Sequence, residues 1–490
     1  MDRRSFMRFL AAFGAATACG PLWPSRTQAA PPDLEVELQA VRDRIPLFSG
    51  PPTDVWRFNG KVLHGHPGQL QTREQGWLGP VFRVHKGQRI RVKFKNLIPQ
   101  ESIIHWHGLH VPPEDDGHPK FAVPFGGEYV YDFIINNPAG TYWYHPHPHR
   151  LTGYQVYGGM AGLFLVSDQE EQALGLPSGE NDLPLVLQDR TFGPDNQLVY
   201  LRSPMERVHG FLGDKIMVNG QADPTFDVTG KPYRLRLLNG SNSRIFRLAW
   251  NDGRNLQILG TDGGLLEKPL IVPDIMLGPA ERVDLWADFG DMPKGSGVSL
   301  QSLPFNPGGG QMGMIRRGTG APLGSPFELA RFRISHPGQG TTDPPKQLST
   351  LERLDPGQAA NRERPKQFFL NMHHMQPTIN GRTFAMSEVA PDEMVRLGEA
   401  EIWEFINAGS MMAMPHPMHV HGLSFQVLGR SGGPGYRFLD QGWKDSVLVM
   451  PGERVAVIMR FTDYNGLYLY HCHNLEHEDL GMMRNYLVLS

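Results

Sequence analysis

Ten histidines fall in four short clusters: His105 and His107; His145 and His147; His416, His419 and His421; His471, His473 and His477. On an extended strand, residues two apart project from the same face. Each of the pairs 105/107, 145/147, 419/421 and 471/473 can therefore offer two imidazoles to one metal or to two adjacent ones. Neutral nitrogen donors in this number suit divalent copper, whereas a zinc site is complete with three or four ligands. Two clusters lie early in the chain and two near its end. Distant segments must meet to share one metal site.

The triplet His471-Cys472-His473 carries a further implication. If it is extended, Cys472 faces away from both neighbours and serves a different centre. His477 lies five residues after the cysteine and Met482 ten after. With His416 they supply a His, Cys, His set and a weak axial thioether, the ligand composition of a blue-copper electron-transfer site. One short covalent path would then join two kinds of centre. A weakly bound Met482 implies a moderate potential, and the adjacent Met483 is expected to be core packing.

Strands have to position these residues. Period-two stretches recur at 55–58, 81–84, 90–94, 129–135 and 162–166, then at 183–188, 233–238, 245–249 and 282–287. A third series covers 368–370, 402–406, 425–428, 455–459, 467–470 and 486–489. No amphipathic helix separates the strands, which argues against an α/β fold. The 56 glycines and 42 prolines favour short strands and turns. The expectation is an all-β chain of three consecutive β-sandwiches, over 31–168, 169–335 and 366–490, with 336–365 a linker or long loop. Glu128 to Tyr131 precedes Gly140 to His145 much as Glu453 to Ala456 precedes Gly466 to His471. That echo makes the outer domains copies of one design.

Residues 1–30 read as an address. Arg3-Arg4 stands ahead of a short apolar run, Ala11 to Cys19, as in a twin-arginine export signal. The run is too short to span a bilayer, so no stable membrane insertion is expected. Thr27-Gln28-Ala29 offers a cleavage site. Export by the twin-arginine machinery to the periplasm, or otherwise out of the cytoplasm, would leave Cys472 as the only cysteine. No disulfide framework is possible. Lys plus Arg is 47 and Asp plus Glu 50, a net charge of -3. No basic excess is available for nucleic acid. No motif marks a subunit contact, and a monomer is expected.

The segments His105-Trp106-His107-Gly108, Tyr144-His145-Pro146-His147, His416-Pro417-Met418-His419-Val420-His421-Gly422 and His471 to Met482 resemble the four copper-binding motifs of the multicopper oxidases. The likeness is to three-domain bacterial laccases and cuprous oxidases and spans the mature chain. It implies cupredoxin-like Greek-key domains and four copper ions. By that pattern His416, Cys472, His477 and Met482 bind a type 1 copper, and His105 and His419 a type 2 copper. His107, His145, His147, His421, His471 and His473 would hold a binuclear type 3 pair. Pro146 departs from the Ser or Thr often found there, and is tolerated only where its missing N–H is not needed. His149 is expected outside the ligand set.

The same resemblance implies a laccase-like oxidase. Four one-electron oxidations of phenols, aromatic amines or metal ions would reduce dioxygen to two waters, with a cuprous oxidase for copper tolerance as the alternative. Proton supply requires buried carboxylates, and Asp116 and Glu478 match acidic positions the family uses, with Asp115 and Asp479 as neighbours. Asp445 is expected on the substrate side, either orienting His416 or touching a phenolic donor, with a plain loop acid as the alternative. Met412 and Met414, near Met411 and Met418, could ligate incoming Cu(I) but could equally fill a core. Met312 and Met314 lie in a glycine-rich segment, 308–320, expected to be a loop. A copper nitrite reductase would be shorter and lack the binuclear ligands. A structural protein on the same shell would have lost ligands, and a storage protein would not need the Cys472 bridge.

Overall fold

The computed structural model describes residues 31–72, 76–308, 320–408 and 414–490. The export signal, Met312, Met314, Met411 and Met412 lie outside the described residues.

The apolar alternation of the first strand shows how each sandwich forms. Along Leu34–Ile45, Leu34, Val36, Leu38 and Ala40 are buried, and the residues between them are partly exposed. This strand pairs antiparallel with Thr53–His64 and parallel with Arg89–Asn96. Its inner face meets a five-stranded sheet containing Ile104–His107, Gly140–Pro146 and Gly162–Ser167. Trp106, Tyr144, Phe82 and Phe164 fill the space between the two sheets. Antiparallel and parallel neighbours in one sheet require a crossover rather than a meander.

Residues 182–336 form a second pair of sheets, of seven and five strands, around their own core. Residues 366–489 form a third pair, each of five strands. Between the second and third pairs the chain is largely irregular but fastened down. Leu354 and Ala359 are buried against Ile402 and Ile458. Among the described residues no helix is long and apolar enough to cross a membrane.

Register places the ligands. In the first domain Ile104–His107 pairs with Gly140–Pro146 so that His105 stands opposite His145 and Trp106 opposite Tyr144. In the third, His416–Val420 pairs with Gly466–Cys472 so that His419 stands opposite His471 and Met418 opposite Cys472. Trp106 in the first domain, and Val420 and Cys472 in the third, lie between paired histidines and belong to the hydrophobic core. The paired imidazoles face outward, toward the other domain. Pro146 ends its strand opposite Ile104, whose N–H donates instead to the Tyr131 hydroxyl at 2.7 Å. The next residue, His147, donates its N–H to the Ile103 carbonyl at 2.9 Å, so backbone pairing resumes just past the proline.

The second domain clamps the other two together. Arg282 is fully buried; its guanidinium donates to the Thr141 carbonyl of the first domain and to Asp445 of the third, with Nη1 2.7 Å from Oδ1. Lys444 reaches back from the third domain to Asp262 and Glu281 at 2.9 and 3.2 Å. Removing one member of a buried pair strands the other charge. Arg282→Met is expected to lower unfolding free energy by about 3–5 kcal/mol in guanidinium titrations. A loss under about 1 kcal/mol, the surface-pair range, would show that the clamp is not structural.

Candidate metal centres

The third-domain strands end at two centres on opposite sides of one peptide. His416, Cys472 and His477 bring their ligand atoms within 4.8 Å of one another. Cys472 Sγ lies 3.4 Å from His416 Nδ1 and 3.7 Å from His477 Nδ1. His477 comes from a five-residue helix, Leu475–Asp479, started by Asn474, whose side chain accepts from the His477 N–H. Met482 is buried beside Cys472, and its carbonyl accepts from the Cys472 N–H at 3.0 Å. Burial pushes the Cys472 thiol up, so a thiolate here requires a cation beside it.

On the other side, eight buried imidazoles from the first and third domains converge. Three all-histidine donor sets are defined within 4.8 Å, His107, His145 and His473; His147, His421 and His471; and His105 with His107 and His419, and a fourth joins His105 and His421 through Asp116. Every set draws on both domains. The outer nitrogens of most rings are held by oxygen acceptors. His105 Nδ1 donates to the Asp116 carbonyl and His419 Nδ1 to the Asp445 carbonyl, each at 2.7 Å. His421 Nδ1 donates to Asp116 Oδ2 at 2.7 Å, and His145 Nδ1 to the Pro146 carbonyl at 2.9 Å.

These bonds fix the tautomers and turn lone pairs inward. The Nε2 atoms of His105 and His419 then face each other at 3.2 Å, and those of His421 and His471 at 3.0 Å. Two acceptors cannot bond each other at that distance, but both can bind a cation. His473 has no hydrogen-bond partner at either ring nitrogen, and His147 has none at Nδ1. Burial holds His107, His145, His147, His419, His421 and His473 well below the usual imidazole range, as neutral ligands. Nitrogen-rich sites of this kind, beside a Cys and two His, fit copper.

The acids divide by what they touch. Glu478 approaches His471 Nδ1 at 3.2 Å and His147 Nε2 at 3.5 Å, and burial holds its carboxyl well above the usual range. Asp116 contacts His105 and His421 and is raised by burial as well. Asp479 instead accepts the N–H groups of Thr152 and Gly153 at 2.9 Å each, and Asp115 accepts the N–H of Asp132.

Asp445 requires a correction. It does not orient His416 on the substrate side. It lies against the histidine cluster, with Oδ1 3.1 Å from His107 Nε2, and is paired with Arg282. The cause is register: His416 stands opposite Val449 and His419 opposite Ser446, which carries Asp445 to the far end of the strand. Ser446 Oγ also reaches His107 Nε2, at 3.2 Å. His149 joins no donor set and packs against Phe384. Met414 lines a cavity of about 300 Å³ beside Asn474. The sequence reading missed Arg282, Ser446 and Glu476. Glu476 accepts from Tyr200, Asn242, Ser243 and the Phe211 N–H, all in the second domain, and so seats the His477 helix.

Fold and site together define a three-domain protein in which a His, Cys, His donor set adjoins a histidine-rich cluster held between the outer domains. Two multicopper oxidase profiles match residues 53–171 and 354–490. A multicopper oxidase of Staphylococcus haemolyticus is 31% identical over 432 residues, covering 88% of this chain and 85% of its own. Among solved structures, the McoA multicopper oxidase of Aquifex aeolicus is 37% identical with a TM-score of 0.80, covering 94% of this chain and 97% of its own. A laccase from Pediococcus acidilactici is 32% identical with a TM-score of 0.78, covering 95% and 92%. The chain belongs to the multicopper oxidases, with their cupredoxin-like domains. It is a copper-dependent oxidoreductase that uses dioxygen as electron acceptor.

Proposed function

We propose that this chain is a laccase-like oxidase that takes single electrons from small phenols, aromatic amines or metal ions and reduces dioxygen to two waters. One observation carries the reading: Cys472 contacts the His416/His477 site, while its neighbours His471 and His473 face the eight-histidine cluster. We propose four coppers, one type 1 at His416, Cys472, His477 and Met482, one type 2 at His105 and His419, and a type 3 pair. The sets His107/His145/His473 and His147/His421/His471 would each hold one member of that pair. The coppers, when bound, supply one-electron acceptance from the donor and four-electron delivery to dioxygen.

The protein's own groups do the remainder. Glu478, whose carboxyl burial pushes well above the usual range, is the acid placed to hold and pass a proton beside His147 and His471. Asp116 and Asp445 fix the rings of His421 and His107. Arg282 keeps Asp445 in place. The Arg3-Arg4 leader supports export, with periplasmic action, and a cuprous oxidase for copper tolerance is the second reading, favoured by the Met414 thioether in the cavity beside the thiolate site.

Copper-loaded protein should bind four metal ions per chain and show intense blue thiolate absorption. It should consume one dioxygen per four donor electrons, with a phenol or with Cu(I). Release of hydrogen peroxide in place of water, or a colourless protein with full copper content, would refute the proposal.

A further inference from the structure

His416, Cys472, His477 and Met482 are all buried. The Val208 carbonyl of the second domain also accepts from His477 Nε2 at 2.9 Å, which closes that ring nitrogen to a donor molecule. An electron therefore has to cross protein to reach the thiolate centre, and the groups packed around the His477 helix decide where it enters.

The outer side of that helix borders a cavity of about 350 Å³, at which one short helix from each domain meets: Thr152–Tyr157, Pro204–His209 and Leu475–Asp479. Tyr154 and Tyr200 give the cavity aromatic walls, and three leucines give it apolar ones. Arg150 and Arg207 stand exposed at its rim. Neither guanidinium makes a hydrogen bond or ion pair with any described residue. Arg150 holds a φ of +63°, a left-handed backbone that side chains rarely adopt, and strain of that kind persists where a site uses it.

The two acids that line the cavity are already committed. Glu476 accepts from Tyr200, Asn242, Ser243 and the Phe211 N–H, and Asp479 from the Thr152 and Gly153 N–H groups. Uncommitted positive charge at the rim of an aromatic and apolar cavity selects an aromatic anion, and planar guanidinium groups match a carboxylate. The volume lies at the small end of ligand pockets, room for a single substituted ring.

We propose that this cavity binds an arenecarboxylate donor, its carboxylate held by Arg150 and Arg207 and its ring against Tyr154 and Tyr200, and that the electron passes to His477 through Tyr200 and Glu476. This rests on the oxidase reading and gives it an entry site and a selectivity: a phenol that carries a carboxylate is preferred to the same phenol without one. The Tyr200 hydroxyl donates to Glu476 Oε1 at 2.6 Å, and one peptide bond joins Glu476 to His477. Each bound donor gives one electron to the centre and its hydroxyl proton to solvent, and leaves as a phenoxyl radical. Four donors and one dioxygen thus yield four radicals and two waters.

Trimethoxybenzoate, which has no hydroxyl to oxidise, is the binding probe. Calorimetric titration of the copper-loaded holoenzyme should show one equivalent bound per chain, with Kd raised about ten-fold or more in Arg150→Gln and in Arg207→Gln. Syringate and syringol are the oxidisable pair, differing only in the carboxylate. In both arginine variants kcat/KM for syringate should fall about ten-fold through KM, while that for syringol stays within about two-fold of the wild type. Tyr200→Phe keeps the ring but drops the bond to Glu476. It should leave the Kd of trimethoxybenzoate unchanged and lower kcat for syringate, with blue absorption and copper content retained. Failure of the wild type to bind trimethoxybenzoate, equal losses on syringate and syringol in the arginine variants, or an unchanged syringate kcat in Tyr200→Phe would overturn the proposal. An enzyme that took up no oxygen with any donor would defeat the oxidase reading, while the titration would still test the cavity.

Discussion

Cys472→Ser should remove the blue absorption and cut turnover at least a thousand-fold, equivalent to about 4 kcal/mol in the barrier. Among the described residues the thiolate is the only anionic donor that contacts both His416 Nδ1 and His477 Nδ1. A serine hydroxyl stays protonated there and leaves two neutral imidazoles and a thioether, a set too weak to retain the metal in its redox role. The neighbouring histidines keep their places, because His471 is held opposite His419 and donates toward its own acceptors. The variant should therefore lose one copper and keep those of the cluster. Copper analysis and optical spectroscopy on the same sample check this. A serine variant that stayed blue and kept a tenth of the wild-type activity would end the assignment of Cys472.

Glu478→Gln is the second large effect. Glutamine has nearly the same shape but no carboxyl proton to give. General acid–base contributions run to about 10²–10⁴ in rate, so kcat should drop at least a hundred-fold. The defect should be confined to the oxygen half of the cycle. Glu478 faces His147 and His471, while His477, one residue earlier, faces the thiolate site. Anaerobic bleaching of the blue band by a donor should thus keep its rate, and reoxidation by dioxygen should slow. Glu478→Asp, which retains a carboxyl, should recover part of the loss. Slowing of both halves alike would mark Glu478 as a packing residue. Asp479→Asn offers a contrast, since its carboxylate accepts two helix N–H groups and its loss should lower stability more than kcat.

Much of the site was legible because strand geometry is periodic. His-X-His needs no tertiary information to put two imidazoles on one face, nor His471-Cys472-His473 to put the sulfur on the other. Burial of Trp106, Met418 and Cys472 behind their histidines is the same alternation seen from the core side. The relation of Cys472 to His416 required only that two strands pair. The five-residue Leu475–Asp479 helix was invisible, since it is too short for a 3.6-residue period to show.

By itself, then, the sequence determined the ligand types, the faces they occupy and the repetition of one strand pair in the outer domains. Those features depend on local periodicity, which residue order alone specifies. Docking of the three sandwiches decided the remainder. It divided six histidines into two sets of three, set Asp445 against His107, and brought Arg282 and Val208 of the second domain against the centres and Tyr200, Asn242 and Ser243 against Glu476. Such contacts join residues hundreds of positions apart through register and interdomain packing, and no spacing along one chain encodes them.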